Sequence, residues 1–259
     1  MSTNSLIIPF TEKESRFHPS QLARLNSARI PKHIAIIPDG NRRWAKKRIV
    51  SVADGHSEGA DTLMEIVKAA KELGVEKITF YSFSTENWNR PREEVSALML
   101  LYATYLMEHC SEMVETGIKL QTIGDLSALP PFLRQVIQET KEATQECDKI
   151  DLILALNYGS RNEISRAFQA MLEDYNNSTL KKEDVNEETI SRYLDTSNWR
   201  DPDLLIRTSG ELRVSNFLLW QISYAEIHTA PVLWPDFTPQ HLLDAVVDFQ
   251  GRQRRWGGG

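Results

Sequence analysis

An alternation of short apolar runs with helical-period segments restricts the fold more than any other feature. The runs HIAII (33–37), KITFYSF (77–83), IKLQTI (118–123), DLILAL (151–156) and DLLIR (203–207) are short and apolar enough to be strands. Between them apolar residues recur three and four apart. EGADTLMEIVKAAKEL (58–73) sets Leu63, Ile66, Val67 and Ala70 on one helical face, and Gly74 follows as a helix-ending residue. Similar spacing covers 93–116, closed by Gly117, and 130–146, opened by Pro130 and Pro131. This order predicts an α/β fold, a single domain with a central, mostly parallel sheet flanked by helices. The 259 residues, 41% of them hydrophobic, suffice to bury such a core. No repeat or linker divides 31–259, read as one domain; 1–30 reads as a loose amino-terminal arm and 176–188 as a polar surface excursion.

Charge and cysteine content narrow the function. The formal net charge of −6 argues against a general nucleic-acid-binding surface, so any anion site must be a local basic pocket. Cys110 and Cys147 lack metal-ligand spacing and fit ordinary packing in a reducing cytosol. The amino terminus has no basic segment followed by an apolar one, so no secretory signal is expected. The longest apolar stretch, SALMLLYATYLM (96–107), is shorter than the roughly 20 residues needed to span a bilayer. The expected location is cytoplasmic. A helix apolar almost all round is core on several faces or the wall of an apolar cavity.

In parallel sheets ligands sit beyond the carboxyl ends of strands. Three polar turns come directly after strands: PDGNRR, STENWNR and RTSGELR. Asp39-Gly40 alone is a common turn dipeptide. Its neighbours change the reading, because Gly40 exposes backbone N–H groups, Asn41 and Arg43 supply donors, and a helix begins there. That set suits phosphate. A carboxylate, Asp39, among anion-binding groups suggests a bridging Mg²⁺, which is held by one or two carboxylates plus substrate phosphates. The third turn offers Arg207, Arg213 and Ser215, either as a second phosphate clamp or as scattered surface arginines. Arg252, Arg254 and Arg255 near the carboxyl terminus read as a solvated basic tail unless they reach a partner subunit's site. Neither a Walker A sequence nor GxGxxG follows a strand. Two phosphate turns suggest two phosphorylated substrates.

HIAIIPDGNRRWAKK, GHSEGA, YSFSTENWNRPREEV and LLIRTSGELRVSNFLLWQISYAEIHTAPVLWPDF together resemble the cis-prenyltransferases, the undecaprenyl diphosphate synthases of bacteria. The resemblance runs from His33 to Trp256. It implies an enzyme that condenses isopentenyl diphosphate repeatedly, in cis, onto farnesyl diphosphate to make the long polyprenyl diphosphate used in cell-wall glycan synthesis. It implies Mg²⁺ held by Asp39 and by Glu226, the latter matching a carboxylate that helps order the ion or belongs to the dimer-side site, and catalytic roles for Asp39, Asn87 and His56. Gly40, Asn41, Arg42, Arg43, Trp44, His56, Ser84, Glu86, Trp88 and Arg90 are implied as substrate-binding, with Glu94 ending the loop after the second strand. Arg207, Arg213 and Ser215 match the isopentenyl diphosphate site. The family also implies a homodimer and contact with a membrane through the lipid product; no nucleic-acid partner is expected. On this view Leu98 to Met107 line an apolar product tunnel, and Ser82 and Ile150 favour a long product.

Four positions depart from the family pattern. Pro38 stands for Met, Arg42 for Gly, Val52 for an Arg near the histidine of GHSEG, and Leu212 for a His near the metal. Val52 cannot bind diphosphate, so Arg42 or Arg48 is expected to replace the lost guanidinium. Two rival functions are a non-catalytic partner subunit of the same fold and a Mg²⁺-dependent phosphohydrolase. An intact Asp39 opposes the first, and the lack of a second Asp beside it opposes the other.

Overall fold

The computed structural model describes residues 15–253. After a short helix α1 (Pro19–Leu22) come β1 (His33–Ile37), α2 (Asn41–Arg48), α3 (Val52–Leu73), β2 (Lys77–Ser84) and α4 (Arg92–Thr116). Next are β3 (Ile118–Ile123), α5 (Pro131–Ala143), β4 (Ile150–Tyr158), α6 (Ser160–Asn176), α7 (Glu187–Tyr193), β5 (Leu204–Arg207), β6 (Glu226–Thr229) and α8 (Pro239–Gly251). The strands form one sheet in the order β3-β4-β2-β1-β5-β6, with every neighbouring pair parallel. The chain winds outward from β1 on one side and returns to β5 on the other. Its topological switch point therefore lies at the carboxyl ends of β1 and β5, where α/β sheets bind ligands.

Alternation along the strands builds two cores. Ile34, Ile36, Ile78, Phe80, Leu152, Leu154, Leu204 and Ile206 pack against α3, α4, α5 and α8. Ala35, Ile37, Ile153, Ala155 and Leu205 face Phe217 and Leu218 on the other side. This is the pattern of a sheet covered on both faces. All five expected strands and the three expected helices are present, with ends moved by a few residues at most positions. The exception is α3, which begins at Val52 under a Ser51/Asp54 capping box, so GHSEGA is helical. The expected set lacks α1, α6, α7, α8 and β6. The period of α6 is plain in Ile164, Ala167, Phe168, Met171 and Leu172, whereas β6 is a four-residue edge strand with no apolar run.

The part of the arm over residues 15–30 is not loose. Phe17 is 2% exposed in the main core, Arg16 pairs with Glu65 of α3 at 2.6 Å, and Gln250 of α8 bonds the backbone of Asn26 and Arg29. One buried aromatic and these polar ties dock the segment across α3 and α8. Residues 176–188 are mostly exposed, as expected.

His33 at the start of β1 is 1% exposed, with one ring nitrogen 2.7 Å from Arg200 O and the other 2.7 Å from Thr79 Oγ1. Burial lowers its pKa to about 4, below the ordinary 6.5, against the opposing pull of the Arg200 carbonyl and Asp203. A histidine with a depressed folded value costs nothing above about pH 6.5 and progressively destabilises the fold as pH falls toward 4. Across that window the loss is on the order of 3 kcal/mol. Denaturant midpoints at pH 7.5 and pH 5 are expected to differ less for His33→Asn than for the parent chain.

Candidate active site

Asp39 emerges from β1 through Pro38, and its backbone is fixed by the turn after β5. Its N–H donates to Thr208 Oγ1 (2.8 Å), and its carbonyl accepts from Thr208 Oγ1 (2.6 Å), Ser209 Oγ (2.7 Å) and Trp234 N (3.0 Å). The approach requires Gly40, whose φ is +120° and whose Cβ would lie 2.6 Å from Ser209 Oγ. Gly59 serves the same end on α3, where a Cβ would stand 2.7 Å from Asn41 Oδ1.

The Asp39 carboxylate is gripped by arginines. Arg207 Nη2 donates to Oδ2 at 2.9 Å and Arg43 Nη2 to Oδ1 at 3.1 Å, while Arg213 stands 3.9 Å away. Burial alone would raise its pKa, but the hydrogen bonds and charges of Arg207 and Arg43 outweigh that and hold the carboxyl below the ordinary range. Arg207 also donates to Ser215 Oγ (2.8 Å) and to the Arg213 carbonyl, and its Nε is buried without a partner. Glu211 balances the outer arginines, accepting from Arg43 at 3.1 Å and from Arg213.

Two polar cavities of about 600 and 520 Å³ meet here, and Pro38, Asp39, Asn41, His56 and Arg90 line both. Gly40, Arg42, Arg43 and Arg213 line the outer one; Ser84, Glu86, Asn87, Arg207 and Ser215 line the inner one. An apolar crevice of about 80 Å³ opens from the same place. Pro38, Asn41, His56 and Ser82 stand at its mouth, and Leu98, Leu101, Tyr105 and Leu106 are among its walls. Ile150 and Met107 are not among its lining residues: Ile150 is core on β4 and Met107 is exposed.

His56 sits on α3 with Asn41 Nδ2 3.3 Å from its Nδ1. An amide donating there assigns the proton to Nε2, which is buried, 3.5 Å from Glu94 Oε1 and without a hydrogen-bond partner. Burial, then the Arg90 guanidinium, lowers the His56 pKa against the pull of Glu94. Glu94 also pairs with Arg90 (3.2 Å) and stands 3.9 Å from Arg42. The neutral ring thus directs its N–H toward the Glu94 carboxylate at the back of the cavities, and Asn41 Oδ1 is buried and unpaired. Asn87 Oδ1 accepts from Ser84 N at 3.1 Å and caps the turn after β2.

Three expected residues are not at the cavities. The Trp44 indole donates to Asp236 at 2.9 Å and is covered by Arg48, and the Trp88 indole donates to Asn157 at 2.8 Å. Each aromatic spends its one donor on a partner outside the site and anchors its element instead. Glu226 pairs with Leu204 in the sheet, three residues and roughly 10 Å before the carboxyl edge, and its carboxylate is held by Arg252 at 3.0 Å. Within one chain Glu226 and Asp39 therefore cannot share an ion. Of the expected replacements for the Val52 arginine, Arg42 lines the outer cavity, whereas Arg48 pairs with Asp236. Leu212 is 85% exposed. Arg254 and Arg255 lie outside the described residues. Asn216, absent from the expected set, holds Glu86 at 3.0 Å and accepts from Arg161 N, in a left-handed conformation with φ 64°. Its legible signal was an Asn, which tolerates that conformation, inside a turn after a strand.

The sequence profile of the family described as "Putative undecaprenyl diphosphate synthase" matches residues 37–257. The chain belongs to the undecaprenyl diphosphate synthase family. It is a cis-prenyltransferase, an enzyme of cis-prenyl chain elongation, from a metal-dependent family. An isoprenyl transferase of Bacillus anthracis is 49% identical over 229 residues, covering 88% of this chain and 89% of its own. One from Chlamydia muridarum is 48% identical over 244 residues, covering 93% and 96%. Among solved structures, lavandulyl diphosphate synthase of Lavandula x intermedia in complex with dimethylallyl diphosphate superposes with a TM-score of 0.87 at 37% identity, covering 89% of this chain and 99% of that one. A "probable undecaprenyl diphosphate synthase" of Campylobacter jejuni gives 0.73 at 33% identity, covering 88% and 98%. Among the described residues no helix of this cis-prenyltransferase is long and apolar enough to cross a membrane.

Proposed function

We propose that the chain adds isopentenyl diphosphate repeatedly to an allylic diphosphate, farnesyl diphosphate being the expected starter, and releases a long polyprenyl diphosphate for lipid-carrier synthesis. The observation that carries this is two arginine-lined polar cavities meeting at one carboxylate above an apolar crevice. In this reading the allylic diphosphate lies among Gly40, Asn41, Arg42, Arg43 and His56. Isopentenyl diphosphate is held by Arg207, Arg213 and Ser215, with the turn from Ser84 to Arg90 closing over both.

Asp39 fits Mg²⁺ as a single carboxylate that needs substrate oxygens to complete the shell, and no cluster of three acidic, His or Cys groups exists among the described residues. Bound there, the ion supplies positive charge to the departing diphosphate. The arginines and His56 supply the rest, acting most strongly where negative charge grows as the allylic C–O bond breaks. The apolar walls keep water from the allylic cation. Two clamps hold the reacting carbons together, and the attack of the isopentenyl double bond becomes effectively intramolecular. Asn87, beside the inner cavity, is placed to assist the proton loss that ends each cycle.

The crevice is the start of the product tunnel in this reading. The test is chain-length analysis of the lipid made from labelled isopentenyl diphosphate, farnesyl diphosphate and Mg²⁺. A long lipid supports the assignment; a product two or three units longer than the starter, or released phosphate alone, sinks it. Ser82 stands where the polar cavity meets the crevice. Ser82→Phe is expected to shorten the product by several units while the first condensation persists.

Support for a homodimer comes from α6, where Ile164, Phe168, Leu172 and Tyr175 form one exposed apolar stripe and Phe168 alone is 60% exposed. Phe168→Glu is expected to turn a dimer into a monomer in sedimentation, and a parent chain that sediments as a monomer removes the idea.

A further inference from the structure

The turn joining α2 to α3 takes no part in the site, yet it is unusually built. Ile49 is 93% exposed and Val50 43%. Ile49 closes α2 at φ 58°, the left-handed region that suits glycine and disfavours a β-branched residue. Neither packing nor backbone preference calls for isoleucine there. One turn earlier, the side chains of Lys46 and Lys47 are exposed and make no hydrogen bond or ion pair among the described residues. The acidic groups nearby are mostly engaged: Asp54 caps α3 with Ser51, and Asp236 holds Arg48 and Trp44; Glu58 on α3 is exposed.

We propose that this tip docks the protein on an anionic lipid surface, with Ile49 and Val50 entering the interface and Lys46 and Lys47 facing the headgroups. Charge complementarity selects this occupant. A chain of net charge −6 is repelled by an anionic membrane as a whole, so attachment must be local and cationic. A nucleic acid would use the lysines but has no use for a projecting isoleucine. An apolar tip beside unpaired cations is the pattern of interfacial attachment. The placement also agrees with the proposed lipid product: α2 begins at the Asp39 cavity and runs eight residues, about 12 Å, to the tip. Docking itself does not depend on that product.

Flotation of the full chain with vesicles tests it, using phosphatidylcholine alone and in equal mixture with phosphatidylglycerol. The parent chain is expected to float with the anionic vesicles and not with the neutral ones. Replacing both Lys46→Gln and Lys47→Gln is expected to weaken binding roughly 30-fold. Ile49→Gly removes the apolar tip while easing the left-handed backbone, so the fold is kept; binding is expected to fall about tenfold. A parent chain that ignores anionic vesicles overturns the proposal. So does an Ile49→Gly chain that binds vesicles and RNA as tightly as the parent, which would mark the lysines as a generic polyanion patch. None of these readings involves turnover, so failure here is separate from failure of the condensation assignment.

Discussion

Asp39→Ala is expected to lower the rate of isopentenyl transfer by about 10²- to 10³-fold or more, while the diphosphates bind no more weakly in the absence of metal. The two halves of that expectation come from the same contacts. Asp39 is the one carboxylate that lines both polar cavities, so it is the group that can carry a cation to the departing diphosphate. In the free protein it occupies Arg207 and Arg43, and its removal leaves Arg207 without a carboxylate partner and Arg43 and Arg213 with Glu211 as their remaining one, so the guanidiniums are freer to meet phosphate. A loss confined to turnover separates this role from simple binding. Single-turnover rates with labelled isopentenyl diphosphate, set beside binding measured without metal, make the comparison. Equal weakening of both would mean that Asp39 only shapes the pocket. The variant should also lose less stability than the parent between neutral and acid pH, because it starts without the Asp39 contribution. A carboxyl with a depressed folded pKa stabilises the fold above its unfolded value and loses that contribution as pH falls through the folded one.

The position of Asp39 was legible in the sequence because a parallel sheet sends its polar turns to one edge, and an apolar five-residue run ending in Pro-Asp-Gly marks such a turn. Arg207 was legible for the same reason. Their ion pair was not, because it joins residues 168 apart and depends on β5 lying beside β1 rather than next to β4. The sheet order comes from packing that no local pattern records. Glu226 shows the same limit from the other side. Its motif is plain, but only the register of β6 on β5 places it at the amino end of that strand, away from Asp39 of the same chain. Trp44 and Trp88 were legible as members of the motifs and not as anchors, since their orientation is set by Asp236 and Asn157, far away in the chain. The glycines of GHSEGA were read as part of a motif. Their reason is steric, the passage of α3 against Asn41 and Trp234.

Arg207→Ala is expected to raise the KM for isopentenyl diphosphate by about two orders of magnitude and to lower stability as well, with a smaller effect on the allylic substrate. Arg207 is buried, with a side chain only 6% exposed, and one guanidinium holds three partners in two turns: Asp39 after β1, and Ser215 Oγ and the Arg213 carbonyl after β5. Removing it leaves the Asp39 carboxylate with Arg43 as its remaining close partner and frees the turn that carries Ser215. Ser215, Asn216 and Leu218 all hold left-handed backbone, with φ of 49°, 64° and 47°, a conformation that persists only when its surroundings enforce it. The substitution therefore removes a guanidinium proposed to bind phosphate and loosens the scaffold of its neighbours. Arg207→Lys separates the two effects. A lysine restores the charge but not the fork that reaches Asp39 and Ser215 together, so stability should recover more than affinity. Arg213, 60% exposed and held only by Glu211 and the edge of Asp39, provides the contrast. Arg213→Ala is expected to weaken isopentenyl diphosphate binding with no measurable change in the unfolding midpoint. If Arg207→Ala and Arg213→Ala prove alike in both readouts, the buried guanidinium is not the organiser of this half of the site.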